Sequence, residues 1–369
     1  MKGLYVHIPF CRQKCSYCDF YSLPGCLDFR EPYVKAVLRE SEVYAGMSFE
    51  TLYLGGGTPS LLGSNLIIEL IDGLSRSLDL TGLVEATLEV NPESATPEFI
   101  EAVRNSGLNR ISIGVQSLAD VELRAVGRIH TAAQAMETVR LAKQTGFGAI
   151  SADLIIGLPG QTWPSISHSL ETVAGSGVEH LSLYCLSLEE GTPLALNPPE
   201  DLPSDAMQAE LFQQARSFLE KKHYIHYEIS NFASMGCECL HNLVYWRGGE
   251  YLGLGPSAAS HLEGRRFRNR ADLNGYLENP TGLMEDNEKL NATDKAAEEA
   301  MLRLRLLAEG LDINQLKARF GRANIEGLAG RLANMVSQGH LIAEGSRYLL
   351  PPSRVLTSNP IFAEILETR

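Results

Sequence analysis

No stretch of this chain approaches the roughly 20 consecutive apolar residues that a bilayer-crossing helix needs, which excludes a helical membrane protein. No leader is expected either. Only Lys2 precedes a short apolar run over 4–10, and His7 and Pro9 interrupt it, too short and broken for a signal peptide. The expected location is therefore cytoplasmic. Positive charge is scarce: 32 Lys and Arg stand against 45 Asp and Glu, for a formal charge of −13. That balance excludes a broad phosphate-gripping surface, and no nucleic-acid partner is expected. The local exception, Arg265, Arg266, Arg268 and Arg270, is a solvated turn or strand edge, or else a patch for an anionic ligand. Low-complexity tracts are absent, and so are repeats beyond a strand–helix alternation. Seven cysteines in a reducing compartment do not make a disulfide framework. Any tight group among them calls for metal ligation or catalysis.

What is present is ample core: 369 residues, 44% of them hydrophobic, enough for a large domain and a smaller one. Short β-rich runs fall at 4–8, 51–54, 85–90, 110–115, 150–156 and 180–186. Amphipathic helical patterns lie between them, for instance over 32–44, 65–78, 97–106 and 131–146. Apolar strands separated by helices predict a parallel sheet of βα units. Six units make an α/β fold of the incomplete (β/α)6 barrel type, whose chemistry belongs at the carboxyl ends of the strands.

A seventh strand is expected at 224–229, then an irregular stretch rich in Gly, Cys and aromatics over 234–260. Asn279, Pro280 and the polar run 285–289 read as a linker. Helices at 293–308, 311–320 and 325–339 and a hairpin at 341–350 follow, a winged-helix-like α+β pattern. Acidic balance favours a packing or lid role for it over nucleic-acid binding. The expected division is 1–232, 233–285 and 286–369.

The densest chemistry is Cys11-Arg-Gln-Lys-Cys15-Ser-Tyr-Cys18, directly after the first strand. Three thiolates on one short loop can hold three corners of an iron–sulfur cube and leave the fourth iron open. Zinc is the competing occupant, since thiolates suit both. It wants a fourth ligand, and Cys26 and His7, the nearby candidates, lack a finger-like spacing. The second strand ends in Gly55-Gly56-Gly57-Thr58-Pro59, where glycines allow close approach of backbone to a ligand, or simply make a tight turn. Glu89, Gln116, Arg128 and Asp153 lie at or near the ends of later strands. A polar group there either faces the site or needs a structural partner.

The CxxxCxxC spacing with Tyr17 before its last cysteine resembles the radical S-adenosylmethionine (SAM) superfamily. Tyr5-Val-His-Ile-Pro-Phe-Cys11, Gly-Gly-Gly-Thr-Pro, Glu-Val-Asn-Pro, Gly-Val-Gln-Ser and Asp-Leu-Ile-Ile-Gly-Leu-Pro are similar to the group that holds the HemN coproporphyrinogen oxidases and HemW haem chaperones. The resemblance covers nearly the whole chain. It implies a [4Fe–4S] cluster on Cys11, Cys15 and Cys18, and SAM bound by Tyr5, Tyr17, Gly56, Gly57, Thr58, Glu89, Gln116, Arg128 and Asp153.

Three features lean toward the chaperone branch. Phe20 stands where the oxidases carry a further cysteine, the oxidases' longer N-terminal segment is missing, and His241-Asn-Leu-Val-Tyr-Trp246 resembles the chaperones' HNxxYW motif. Leu240 precedes that histidine where many relatives are basic. The resemblance then implies haem binding and delivery to an acceptor protein. His241 is the candidate ligand, Cys237 and Cys239 are further ones, and plain packing of His241 against Trp246 is the alternative. The chain is expected to be a monomer or dimer, with peripheral membrane contact allowed. Rival activities are oxygen-independent coproporphyrinogen III oxidation and radical SAM methyl transfer.

Overall fold

A computed structural model describes residues 1–367. Six parallel strands form its centre: β1 (Lys2–Ile8), β2 (Thr51–Gly56), β3 (Glu85–Val90), β4 (Arg110–Gln116), β5 (Ala149–Ile156) and β6 (His180–Cys185). Each expected strand up to residue 186 is present, and the four expected helices are Arg30–Ser41, Ser64–Ser77, Pro97–Asn105 and Ala132–Gln144. The incomplete (β/α)6 barrel is therefore observed. Two of these helices begin on threonine caps, Thr96 and Thr131, whose hydroxyls accept from the N–H groups of Phe99 and Gln134.

The strands are not apolar on both faces. Ala86, Leu88 and Val90 of β3 belong to the hydrophobic core. Alternate residues of the same strands carry the polar groups: Glu85 and Glu89 of β3, Arg110 and Ser112 of β4, and Asp153 of β5. Period-two alternation makes this division automatic. The barrel has an apolar coat and a polar lumen.

The open sheet continues beyond the barrel in both directions. The expected seventh strand at 224–229 is instead a small antiparallel edge, where Asn231–Ala233 joins β6 and Ile225–His226 follows. A seventh parallel strand, Glu250–Leu254, pairs with β1 on the opposite edge. Ala259–Leu262, Arg265–Asn269 and Met284–Lys289 extend that edge antiparallel. The stretch read as a linker is thus a strand, held by charge rather than by β propensity. Arg268 reaches Glu285 (3.2 Å) and Asp286 (2.8 Å), and Arg270 lies 3.6 Å from Glu285. Opposite charges on adjacent strands support pairing. The arginine run is a neutralised strand edge.

Glu40 ties the first helix to this added sheet. It is 4% exposed, and its carboxylate accepts from Gly255 N (2.9 Å), Asn269 Nδ2 (2.6 Å) and the Tyr276 hydroxyl. Burial pushes its carboxyl up to about 7, although those donors oppose the shift. A raised carboxyl contributes fully below the ordinary carboxylate range, and that contribution declines as pH rises toward 7. Glu40→Ala strands three donors and should cost at least about 3 kcal/mol in urea unfolding. Glu40→Gln should cost less and flatten the decline in stability between pH 5 and pH 8.

Helix Ala292–Arg303, strand Leu311–Asp312, helices Ile313–Phe320 and Arg322–Ser337, and hairpin Ile342–Glu344/Arg347–Leu349 follow in order, with Leu311 paired to Tyr348. This is the expected winged-helix order, and helix Ser358–Leu366 packs on its first helix. Among the described residues no helix is long and apolar enough to cross a membrane. All seven cysteines are free thiols.

Candidate functional site

The carboxyl ends of the barrel strands open into a cavity of about 420 Å³. Cys11, Cys15 and Cys18 line it together with Tyr17, Gly56, Gly57, Thr58, Glu89, Gln116, Arg128 and Asp153. Every residue expected around cluster and SAM is brought to this one place except Tyr5.

The cysteine loop is stitched to the glycine turn. Gly57 N–H donates to the Ile8 carbonyl (2.8 Å) and Thr58 N–H to the Phe10 carbonyl (2.7 Å). A Cβ on Gly57 would lie 2.7 Å from the Phe10 oxygen, so only glycine fits there. Gly56 turns at φ +115° and its N–H donates to Glu89 Oε2 at 3.1 Å. These N–H groups are spent, and what the turn still offers a ligand is carbonyl acceptors.

Cys11 is buried, with Sγ 3.5 Å from Thr58 Oγ1, while Cys15 and Cys18 are half-buried. Burial pushes the Cys15 and Cys18 thiols up; Arg128 opposes the shift at Cys15. Metal must displace those protons to bind. A tetrahedral zinc would want a fourth ligand besides these three thiols. A cube takes one thiolate per iron corner, and three thiols on the wall of one cavity meet that demand. The donor set therefore fits an iron–sulfur cluster.

Arg128 is the unusual electrostatic feature. Its Nε and Nη2 donate to the Tyr17 hydroxyl at 3.2 and 2.9 Å, and its Nη1 donates to Asn91 Oδ1 at 3.1 Å. Asn91 Nδ2 donates in turn to Thr58 Oγ1 at 3.0 Å. Among the described residues no carboxylate lies within ion-pair distance of this guanidinium. Burial works against its charge, yet Tyr17 and Cys15 more than offset that and hold its pKa above the ordinary value. A guanidinium fixed by neutral partners beside a cavity is a ready receptor for a ligand carboxylate.

The facing wall is acidic. Burial pushes the Glu89 carboxyl up to about 7 even though it accepts from the Tyr53 hydroxyl at 2.7 Å. Asp153 is raised for the same reason and accepts from Ser112 Oγ at 3.3 Å. Gln116 adopts φ +63°, where β4 slips register against β5. A strained non-glycine residue at a strand end commonly marks a functional constraint. Asn91, Tyr53, Ser112 and Tyr184 also belong to the site, through hydrogen bonds to Thr58, Glu89 and Asp153 and, for Tyr184, as part of the cavity wall. For Asn91 the sequence carries a signal, since it follows Glu89 at the same strand end.

The motif expected to carry haem lies elsewhere. Residues 240–246, read as irregular, form helix Leu240–Trp246. Glu85 in the lumen accepts from the N–H groups of Leu240 (3.0 Å) and His241 (2.8 Å) and pairs with Arg110 at 4.0 Å. This acidic cap at the helix N-terminus holds a short segment of weak helix formers.

His241 is 1% exposed and has both ring nitrogens engaged, Nδ1 with Thr51 Oγ1 (2.8 Å) and Nε2 with the Tyr245 hydroxyl (2.7 Å). Burial pulls its pKa down to about 3. The ring stacks on Tyr53 at 5.1 Å. In this geometry both ring nitrogens are engaged by protein partners, and the visible role of His241 is to place Tyr245. Cys239 is buried against Glu85, and neither it nor Cys237 lines the cluster cavity. Tyr5 faces a second cavity, where its hydroxyl bonds His7 Nδ1 at 3.0 Å.

An open (β/α)6 barrel with three cysteines after its first strand defines the class of radical SAM proteins. The Radical SAM superfamily model matches residues 5–173, and membership implies a [4Fe–4S] cluster and SAM. Over 98% of its length the chain is 32% identical to a protein of Lactococcus lactis named heme chaperone HemW, covering 96% of that relative. A heme chaperone HemW of Mycobacterium tuberculosis is 33% identical over 99% of this chain and 94% of its own. The chain belongs to the HemW family of heme chaperones. In fold it is similar to coproporphyrinogen III oxidase HemN of Escherichia coli, with a TM-score of 0.85 at 22% identity over 99% of this chain and 88% of that one.

Proposed function

We propose that this protein binds haem and delivers it to an acceptor protein in the cytoplasm, carrying a [4Fe–4S] cluster and SAM in the barrel. The observation that carries this reading is the full-length likeness to relatives named heme chaperone HemW.

Cys11, Cys15 and Cys18 would hold the cluster, which supplies single electrons to SAM when both are bound. Arg128 receives the SAM carboxylate. Carbonyls of the Gly56–Gly57 turn accept from its ammonium group, and Glu89 accepts from ribose hydroxyls. Tyr17 holds Arg128 in place, and Thr58, Gln116 and Asp153 complete the wall.

Anaerobic reconstitution followed by haem titration tests the reading: the protein should retain haem through desalting. The rival is the oxidase activity of its structural relative. Phe20, 64% exposed, lines the cavity beside the cysteine loop, at the position where the oxidases carry a cysteine. Given coproporphyrinogen III, SAM and a strong reductant, the protein should therefore make no protoporphyrinogen above the no-enzyme control. Turnover of about 0.01 per second or faster would replace the chaperone reading with the oxidase one.

A further inference from the structure

A second cavity, of about 410 Å³, lies on the inner face where the added sheet meets helix Leu240–Trp246 and helix Ala292–Arg303. Its size falls within the range of about 300–1,000 Å³ usual for small-molecule pockets. Tyr5, Tyr21, Tyr245, Trp246 and Tyr251 form its walls. Tyr245 and Tyr251 meet edge to face at 4.5 Å. Aromatic walls of this kind offer a planar ligand broad apolar contact. Arg266 of strand Arg265–Asn269 also lines the cavity, ion-paired with Glu298. Phe20 lines this cavity and the cluster cavity alike, so the two sites adjoin.

Two imidazoles face this space, and they differ in one respect. His7 has both nitrogens engaged, Nδ1 by the Tyr5 hydroxyl and Nε2 by the Tyr21 carbonyl at 2.8 Å. His261, on strand Ala259–Leu262, donates Nδ1–H to the Gly249 carbonyl at 3.2 Å. Its Nε2 has no protein partner among the described residues. That hydrogen bond fixes the tautomer with the lone pair on Nε2, the arrangement that metal-ligating histidines adopt. Burial also lowers the pKa of His261, although the Gly249 hydrogen bond opposes the shift.

We propose that haem docks in this second cavity with Nε2 of His261 as axial ligand to its iron, between walls that include Tyr245 and Trp246. The proposal rests on the reading that the chain binds haem, and it assigns the ligand to a residue outside the HNxxYW motif. The motif then contributes walls: His241 orients Tyr245, and Tyr245 and Trp246 contact the porphyrin.

The test is a titration of the full-length, cluster-loaded protein with haem under argon, read at the Soret band against haem-free protein. His261→Ala and His261→Gln are compared with the parent, and their folding is checked by iron content and circular dichroism. Expected are a shifted Soret band and haem binding weaker by at least about tenfold, with the parental spectrum restored by added imidazole. Equal affinity and identical spectra in a folded variant would overturn the assignment and leave haem binding itself standing. A spectral change that imidazole does not reverse would also overturn it. A parent protein that takes up no haem would overturn both this site and the function on which it rests.

Discussion

Cys15→Ala should empty the protein of its iron–sulfur cluster, taking iron from about four atoms per chain to near zero and abolishing the broad charge-transfer absorption. Cys11→Ala and Cys18→Ala should do the same. The reason is ligand count. The loop offers three thiols to the cavity, and a cube keeps one iron for an exogenous ligand, so no protein donor is in reserve. Cys26, Cys185, Cys237 and Cys239 cannot substitute. Cys239 is buried against Glu85, and Cys26 and Cys237 do not line the cavity. Cys185 does line it, on the far wall at the end of β6, and burial pushes its thiol up to about 11. Replacing any of these four should leave iron content unchanged. Anaerobic reconstitution with iron and sulfide analysis decides the matter. A full cluster in Cys15→Ala, or tightly held zinc in the parent, would defeat the assignment.

The legible parts of this molecule are those whose signals are local. Six parallel strands and their helices follow from hydrophobic pattern, and the thiol triad from spacing. The residues brought together at the strand ends follow from sitting just past apolar runs. What was misread depends on distant partners. Leu240–Trp246 contains Asn, Val, Tyr and Trp, poor helix formers, and is helical because Glu85, more than 150 residues earlier, caps it. Met284–Lys289 reads as a linker on composition and is a strand because the arginines of Arg265–Asn269 lie opposite its acids.

His241 shows the limit of motif reasoning. The motif marks a meaningful segment, yet spacing cannot tell a ligand from the residue that orients a neighbour. Thr51 and Tyr245, at hydrogen-bond distance from its two ring nitrogens, favour the second role for His241. His261 carries no motif at all. Its free nitrogen becomes visible only once the Gly249 carbonyl is found against the other one.

Arg128 should prove the main determinant of SAM affinity. Arg128→Gln is expected to raise the SAM dissociation constant by about a hundredfold or more, the loss typical when one member of a buried, hydrogen-bonded charge pair is removed. The guanidinium is now held by an oxygen of Tyr17 and an oxygen of Asn91, both neutral, and its charge awaits a carboxylate from the ligand. Arg128→Lys should recover part of the affinity through charge alone, since an ammonium cannot form the same planar fork. Tyr17→Phe should weaken binding less, because it loosens the guanidinium without removing it. Equilibrium dialysis with labelled SAM, alongside the EPR spectrum of the reduced cluster, measures all three variants. Iron content is the control that separates the two roles open to Arg128. A residue that only braced Tyr17 against the cysteine loop would lose cluster and SAM together. A carboxylate receptor loses SAM while iron stays at about four per chain. SAM binding to iron-replete Arg128→Gln with parental affinity would remove Arg128 from the site.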